Sequence, residues 1–479
     1  MKHEQSLELG KRLEDLQARF SGTEDLCVRV FRLRAKECAL VYLETMTSPE
    51  LVQAFAVKPA SEASSSSLDD LFGPLHADRT ADLARVDKAL LEGSCAILED
   101  GSDTVYLIQA VVAQARSIEE AKGEQVTRGP HDGFIEPISA NIRLIRNRIR
   151  SPKLKVRYLT LGKLTQTKVA MLYLDEVAAP YIVDACERRL SGIELNSLYS
   201  TGEIEEIVDE NPLSPFPQTL QTERPDRTVS YLMEGKVAIL VDGYPSALIL
   251  PITFFSFYQS PDDYNNRWVI GTFNRVVRMI SFVLAISLPA IYIAIVSFHS
   301  EVLPMGILYS VKVAITYVPF PPIMEAITMQ VILELLKEAA IRLHSSVAQT
   351  IGIVGGLVIG TAIVEAHLVS HTMIVIIGLT AISSFVTPLS EFGTSLRILG
   401  FSTIIAAAMF GFFGLSIMLM FIFIHLCKLE IMGVPYFSPF DPFRASSGPR
   451  DAFFRLPRFG FAEKWNMGHR RRGAQDDRL

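Results

Sequence analysis

Ionisable side chains recur along one stripe of an otherwise apolar stretch, PPIMEAITMQVILELLKEAAIRLH at 321–344. Glu334 and Glu338 are four residues apart, Lys337 lies between them, and Arg342 follows Glu338 by one helical turn. On a helix these side chains share a face, and Glu338 can pair with Arg342. Charges beside apolar spans are costly and often mark an aqueous path, in which the two glutamates would favour cations. A helix at a membrane interface, with its charges in water, explains the stripe equally well.

Hydroxyl residues and small residues form two further patterns. Hydroxyls on one face of the apolar segment 372–390 can make interhelical hydrogen bonds or line a narrow wet path. We therefore take as candidate pore or gating residues Glu334, Glu338, Lys337, Thr380 and Ser384. In AQTIGIVGGLVIGTAIVEAHL, small residues recur every four positions, which lets two helices approach closely in lipid. We take as helix-packing residues, within one bundle or between subunits, Ala348, Gly352, Gly356 and Gly360.

The elements that carry these residues form a predicted membrane domain. Residues 271–427 carry six basic and six acidic side chains, whereas residues 1–270 carry 30 basic and 40 acidic ones. A helix needs about 20 apolar residues to cross about 30 Å of hydrocarbon. Basic residues follow and precede this domain, which predicts cytoplasmic N- and C-termini. We place spans at about 279–300, 347–366, 370–390 and 398–426, and a re-entrant, amphipathic or additional spanning segment at 303–344.

The polar first part of the chain contains a repeat. ECALVYLE at 37–44 resembles KVAMLYLD at 168–175, and a second pair of similar segments contains the hairpin-turn signals Asp100-Gly101 and Asp242-Gly243. The pattern predicts an α/β cytoplasmic N-terminal region of two related subdomains, followed by an all-α polytopic membrane domain. We place an N-terminal segment at 1–26, the subdomains at 27–125 and 153–255, a connector helix at 126–152 and a cytoplasmic tail at 428–479.

The predicted connector is strongly basic, with seven Lys or Arg residues in the fifteen positions from Arg143 to Arg157. Four isoleucines between 138 and 149 fall on one helical face, so Arg143, Arg146 and Arg150 are expected on its solvated side. Nucleic-acid binding is disfavoured, because no aromatic residues alternate with the arginines and the surrounding region is acidic. We expect the charges to meet acidic partner surfaces, with anionic lipid headgroups as the alternative.

Patterns for enzymatic or metal chemistry are missing from the sequence. His344, His367 and His371 are not arranged as HExxH, and no phosphate-binding loop or nucleophile elbow occurs. The five cysteines form no CxxC pair and no metal-ligand spacing, which fits a reducing compartment. We therefore predict no catalytic residues, no metal ligands and no cofactor.

Several long segments together carry a resemblance to a known family. In order they are RGPHDGFIEPISANIRLIRNRIRSPKLK, LTLGKLTQTKVAMLYLDEVA, SPDDYNNRW, PFPPIMEAITMQVILELLKEAAIRL and VAQTIGIVGGLVIGTAIVEAHLVS. They resemble the A subunits of the nutrient germinant receptors of endospore-forming bacteria, the GerA family, over roughly residues 27–450.

The resemblance implies a function that the residue patterns alone do not. It implies a polytopic protein of the spore inner membrane that assembles with a transporter-like B subunit and a lipoprotein C subunit. It also implies germination signalling through a homo-oligomer in membrane lipid that forms a gated ion-conducting path.

Other interpretations stay open at this point. The chain also resembles an A-type paralogue encoded with the fifth-stage sporulation A genes. It could instead be a membrane scaffold that does not itself conduct. A transporter would have inverted repeats in its membrane domain, whereas the duplication here lies in the soluble half.

Overall fold

A computed structural model describes residues 8–33, 36–57, 77–112, 120–121, 123–124, 126, 128–342, 356, 358, 360–438 and 455. These residues belong to two compact units. The α/β unit contains the described residues up to Pro212 together with Thr219–Ile252. The helical unit contains Leu213–Gln218 and the described residues from Thr253 onward.

The α/β unit consists of two modules. The first contains α1 (Leu9–Arg19), β1 (Leu26–Leu33), β2 (Lys36–Leu43), α2 (Pro49–Val52), a π-helical turn (Gln53–Val57), β3 (Asp78–Thr80), α3 (Leu83–Leu91), β4 (Ser94–Glu99) and β5 (Val105–Gln109). The second contains α4 (Ile138–Arg148), β6 (Leu154–Leu161), β7 (Thr167–Leu174), α5 (Pro180–Ser191), α6 (Thr201–Val208), β8 (Leu220–Thr222), α7 (Pro225–Met233), β9 (Val237–Val241) and β10 (Ala247–Leu250).

The two modules have the same sheet topology, which confirms the predicted pair of related α/β subdomains. The strand orders are β1-β2-β4-β5-β3 and β6-β7-β9-β10-β8, and neighbouring strands are antiparallel. Gly93 and Gly235 occupy matching positions before β4 and β9, with φ of 86° and 85°. A Cβ at Gly93 would lie 2.8 Å from the Met46 carbonyl oxygen, and one at Gly235 would lie 2.7 Å from that of Val177. Both turns therefore require glycine.

The helix α4 belongs to the second module and is the counterpart of α1. Both helices have 11 residues and precede the first strand of their module. The Leu9 N–H of α1 donates to Asp100 Oδ1 at 3.0 Å, and the Ile138 N–H of α4 donates to Asp242 Oδ1 at 3.1 Å. Each hairpin-turn aspartate thus satisfies a backbone donor at a helix start and complements the helix dipole. The segment predicted as a connector is the first helix of the second repeat.

Arg146 is buried, so the prediction that it lies on the solvated face of this helix is wrong. Its Nε donates to Asp25 Oδ2 at 2.7 Å and its Nη2 to Asp25 Oδ1 at 2.6 Å, and neither side chain reaches solvent. Thr23 and Thr45 donate their hydroxyls to the same carboxylate. Arg143 is half-buried and Arg150 is exposed. The ion pair joins the first module to α4 of the second.

The helical unit begins with a 3₁₀ turn (Phe254–Phe257) and a short helix, α8 (Pro261–Asn265). The later elements are α9 (Trp268–Phe298), a 3₁₀ turn (Ser300–Val302), α10 (Met305–Thr316), α11 (Pro322–Arg342), α12 (Gly360–Glu365), α13 (His371–Phe385), α14 (Ser390–Lys428), β11 (Glu430–Ile431) and β12 (Val434–Pro435). In the described part of the chain, α9 and α14 are the two helices that are long and apolar enough to cross a membrane.

The long helix α14 reverses its direction at Gly411, which has the non-helical angles φ 61° and ψ −140°. Phe392 and His425 both lie against Phe216, with ring centroids 6.1 Å and 6.2 Å from its ring. A straight helix would separate these two residues by about 50 Å. A Cβ on Gly414 would lie 2.1 Å from the Ala406 carbonyl oxygen, as expected where two segments meet at a tight turn. α14 is therefore a helical hairpin.

The first segment of the hairpin runs parallel to α9, and the second returns. Phe392 packs on Phe282 at the middle of α9, with ring centroids 6.3 Å apart, whereas Phe412 stacks on His299 just beyond the end of α9 at 5.2 Å. The Thr403 hydroxyl donates to the Ile286 carbonyl oxygen between these points. Where the sequence predicts one span over 398–426, the chain thus forms two antiparallel segments.

The other predicted spans agree with the observed helices to different extents. The predicted span at 279–300 overlaps the longer helix α9, and the one at 370–390 overlaps α13, which has only 15 residues. The predicted segment 303–344 divides into α10 and α11. The predicted span at 347–366 lies outside the described residues except for 356, 358 and 360–366.

Candidate functional site

Glu334 of α11 forms an ion pair with Arg397 of α14. The Arg397 Nε lies 2.8 Å from Glu334 Oε1 and 3.0 Å from Oε2, and its Nη2 donates to the Thr394 hydroxyl at 2.9 Å. Both side chains are more than half buried. A charge removed from water in this way needs a close partner of opposite sign, because an uncompensated charge there costs several kcal/mol.

Lys337 extends this pair to a third helix. Its Nζ donates to the Ser384 hydroxyl of α13 at 3.1 Å and lies 4.4 Å from the centroid of the Phe385 ring. It is also 4.0 Å from Glu334 Oε1. Glu334, Lys337, Ser384 and Arg397 thus form a cluster of two cations, one anion and a hydroxyl, which we call the charged junction. It links α11, α13 and α14.

Two of the predicted pore residues lie apart from the charged junction. Glu338 accepts from Arg342 Nε at 2.8 Å on an exposed part of α11, the i,i+4 pair that the spacing predicts. Thr380 is buried, and its hydroxyl donates to the Ile376 carbonyl oxygen of its own helix at 2.8 Å. Of the two glutamates on the predicted stripe, Glu334 therefore belongs to a buried cluster and Glu338 is solvated.

The glycine pattern is only partly covered by the structure. Ala348 and Gly352 lie outside the described residues. A Cβ added at Gly356 or Gly360 would have no heavy atom within 4 Å, and Gly356 is exposed. Among described residues these two glycines therefore make no close helix contact within the chain.

Sequence reasoning missed Arg397 and Glu325 as residues of interest. Arg397 immediately precedes the uncharged run that ends at Cys427, and a lone cation at that position was an available signal. Glu325 lies in the first turn of α11 and is 1% exposed. Its position within the PPIMEA segment gives no sign of burial, because first-turn acids are usually solvated.

A second buried charge cluster lies where α8 leads into α9. Asp263 Oδ2 accepts from Arg275 Nε at 3.1 Å and from Arg278 Nη1 at 2.7 Å. Arg455 donates to backbone carbonyl oxygens of the same elbow, including that of Asn266 at 2.6 Å. Arg275 and Arg278, which precede the predicted span at 279–300, therefore hold this elbow together.

Comparison with known proteins finds long matches. The family model described as Bacillus/Clostridium GerA spore germination protein matches residues 14–466. The chain is 37% identical over 456 residues to spore germination protein GerLA of Bacillus cereus, covering 93% of this chain and 92% of that protein. It is 34% identical to the uncharacterised membrane protein YfkQ of Bacillus subtilis, covering 98% and 93%.

Comparison with solved structures also finds a match. It is the N-terminal domain of the A subunit of the Bacillus megaterium spore germinant receptor GerK3. The match covers 53% of this chain and 99% of that domain, with 23% identity and a TM-score of 0.40.

Proposed function

Because the chain belongs to the GerA family of spore germination proteins, we propose that it is the A subunit of a nutrient germinant receptor. It transmits the germination signal and forms a gated ion-conducting homo-oligomer in the spore inner membrane. Its partners are a transporter-like B subunit and a lipoprotein C subunit, and both termini lie in the cytoplasm. The match to the family along almost the whole chain is the observation that carries the receptor role.

The exposed surface of the helical unit supports a membrane location. Large apolar side chains of α9 and α14 remain exposed in the single chain, including Ile280, Phe413 and Phe421 at 55%, 69% and 58%. Apolar surface of this extent is stable only against lipid or against another subunit. The open space at Gly356 and Gly360 supports contact between copies.

The charged junction supports a gating role for the ion pair between Glu334 and Arg397. The pair holds α11 against the α14 hairpin, and Arg397 neutralises the carboxylate of Glu334. Movement of α11 away from α14 would separate Glu334 from Arg397 and leave Lys337, 4.0 Å away, as its remaining cationic neighbour, so that the carboxylate is less neutralised and attracts cations. The Glu334–Arg397 ion pair thus keeps the conducting path closed at rest, and its separation opens the path to cations.

Potassium release from proteoliposomes tests this function. The complete receptor is reconstituted with its B and C subunits, and basal efflux is compared among variants. Arg397→Gln raises basal efflux, because it frees the Glu334 carboxylate. The control Glu301→Gln removes the same kind of charge from an exposed position beyond α9 and leaves efflux unchanged. If no preparation releases potassium, although the subunits assemble, the scaffold interpretation replaces the conduit.

A further inference from the structure

The Glu325 carboxylate is buried where the three helices α9, α11 and α13 meet. Its Oε2 accepts from the Ser370 backbone N–H at 2.7 Å, and Ser370 is the N-cap of α13. Glu325 is itself in the first turn of α11. The carboxylate thus meets the positive ends of two helix dipoles, an arrangement that favours a negative charge.

The second carboxylate oxygen, Glu325 Oε1, is buried and has no hydrogen-bond partner among the residues that the structure describes. Buried apolar side chains lie close by, among them Ala326, Val369 and Met373. Within the described part of the chain, Glu325 forms no ion pair with a lysine or arginine, unlike Glu334 on the same helix. A buried charge without an opposite charge beside it costs several kcal/mol, and a bound cation would balance it.

Additional oxygen atoms lie beside Glu325. The Tyr292 hydroxyl of α9 is next to the side chains of Ser370 and Thr372, and close enough to Glu325 to interact with its charge. Glu325 Oε1 and the hydroxyls of Tyr292, Ser370 and Thr372 are oxygen ligands, which suit a hard cation. In the described residues no group of three or more His, Cys, Asp or Glu could hold a metal ion, so a multivalent ion would be poorly neutralised.

We propose that Glu325 binds one monovalent alkali cation, with Tyr292, Ser370 and Thr372 supplying hydroxyl oxygens. The single carboxylate matches the single charge of such an ion. Because the ligands come from α9, α11 and α13, the bound cation holds the starts of α11 and α13 against α9. The site lies at the opposite end of α11 from the charged junction and does not depend on whether the protein conducts.

Equilibrium binding of radioactive rubidium to the full-length chain in detergent tests the site. We expect one saturable site per chain, competed by potassium or sodium chloride and not by N-methyl-D-glucamine chloride. Glu325→Gln keeps an oxygen for the Ser370 N–H but loses the charge, so it abolishes binding. The control Glu301→Gln, an exposed residue beyond α9, retains it. Saturable binding that survives Glu325→Gln, or no saturable binding to the wild type, overturns the proposal.

Thermal unfolding gives an independent measurement, because a ligand that binds only the folded state raises Tm. Potassium chloride should raise Tm by about 2 °C or more over N-methyl-D-glucamine chloride at equal ionic strength. Tyr292→Phe removes one ligand oxygen without removing charge, and should weaken rubidium binding roughly tenfold. This variant keeps the test decisive if Glu325→Gln does not fold. Equal Tm in both salts, or unchanged affinity in Tyr292→Phe, contradicts the proposal.

Discussion

Asp25 and Arg146 are 121 residues apart in sequence and form a bidentate ion pair that is closed to solvent. The pair joins the first module of the α/β unit to the first helix of the second. It also determines the course of the chain around it, because Arg146 donates to the Leu154 carbonyl oxygen and Thr23 accepts from the Val156 N–H. The basic helix thus connects the modules through one specific buried contact.

Removing one partner of this pair should destabilise the protein strongly. Arg146→Met leaves the Asp25 charge buried without its cation, and we expect a loss of about 3–5 kcal/mol. Thermal unfolding of the full-length protein would show the loss as a large fall in Tm. The control Arg150→Met changes an exposed arginine of the same segment and should shift Tm little. Similar Tm values for the two variants would show that the buried pair does not hold the modules.

The two hairpin-turn aspartates should have equal roles in the two modules. Asp100→Ala and Asp242→Ala each remove an acceptor for a helix N–H, at a cost of about 1 kcal/mol. That cost corresponds to a fall in Tm of about 2–4 °C for a domain of this size. Asp100→Asn and Asp242→Asn keep an acceptor oxygen and should recover most of the loss. If only one of the two alanine variants has a lower Tm, the two aspartates do not contribute equally to stability.

Distance measurements should confirm the α14 hairpin. Spin labels at positions 394 and 424 would be about 45 Å apart on a straight helix, because each residue adds about 1.5 Å. Neighbouring antiparallel helices are about 10 Å apart, so the hairpin brings the labels to less than half the straight-helix distance. Pulsed electron resonance on a cysteine-free background measures this separation.

Glycine substitutions provide a companion test of the same turn. Gly414→Ala would place a methyl group 2.1 Å from the Ala406 carbonyl oxygen, and should destabilise the fold by about 2 kcal/mol or more. Gly378→Ala adds the same methyl group to α13 where no heavy atom lies within 4 Å. We expect a lower Tm for the first variant alone. A full-length label separation, or an unaffected Gly414→Ala variant, would contradict the hairpin.

Glu205 in α6 should make stability depend on pH. Burial raises the pKa of its carboxyl group, although the Thr219 hydroxyl donates to it and opposes the rise. A raised pKa in the folded state means that stability falls as pH increases from about 4.3, the ordinary value, through the folded pKa. Glu205→Gln keeps the acceptor and removes this loss, so its Tm advantage should grow from pH 4 to pH 8. The exposed control Glu206→Gln should show no such trend.

The sequence predicts the repeat and the apolar helices because both depend on patterns of residues that are close together in the chain. The matching strand segments and Asp-Gly turns predict two related α/β modules that each contain a hairpin, and the i,i+4 spacing of Glu338 and Arg342 predicts their contact. Arg146 shows where local pattern fails. Its partner lies far away in sequence, and six other basic residues around it suggest a solvated surface.

The hairpin and the charged junction depend on tertiary packing, which the periodicity of apolar residues in the sequence does not predict. Both segments of α14 are apolar, so the reversal at Gly411 leaves the hydrophobic run unbroken. Glu334 and Glu338 occupy neighbouring positions of one stripe, yet only Glu334 meets a residue of α14. The partner of Glu334 is Arg397, 63 residues further along the chain, so local spacing does not identify it.

A double-mutant cycle on ion efflux tests the central claim most directly. Basal potassium efflux from proteoliposomes is measured for the wild-type receptor, Glu334→Gln, Arg397→Gln and the double variant. The account predicts that Arg397→Gln raises efflux and that the double variant returns close to the wild-type value. The coupling should be about 1–3 kcal/mol, roughly 5–150-fold in efflux. Independent, additive effects of the two substitutions would contradict a gate built on the Glu334–Arg397 pair.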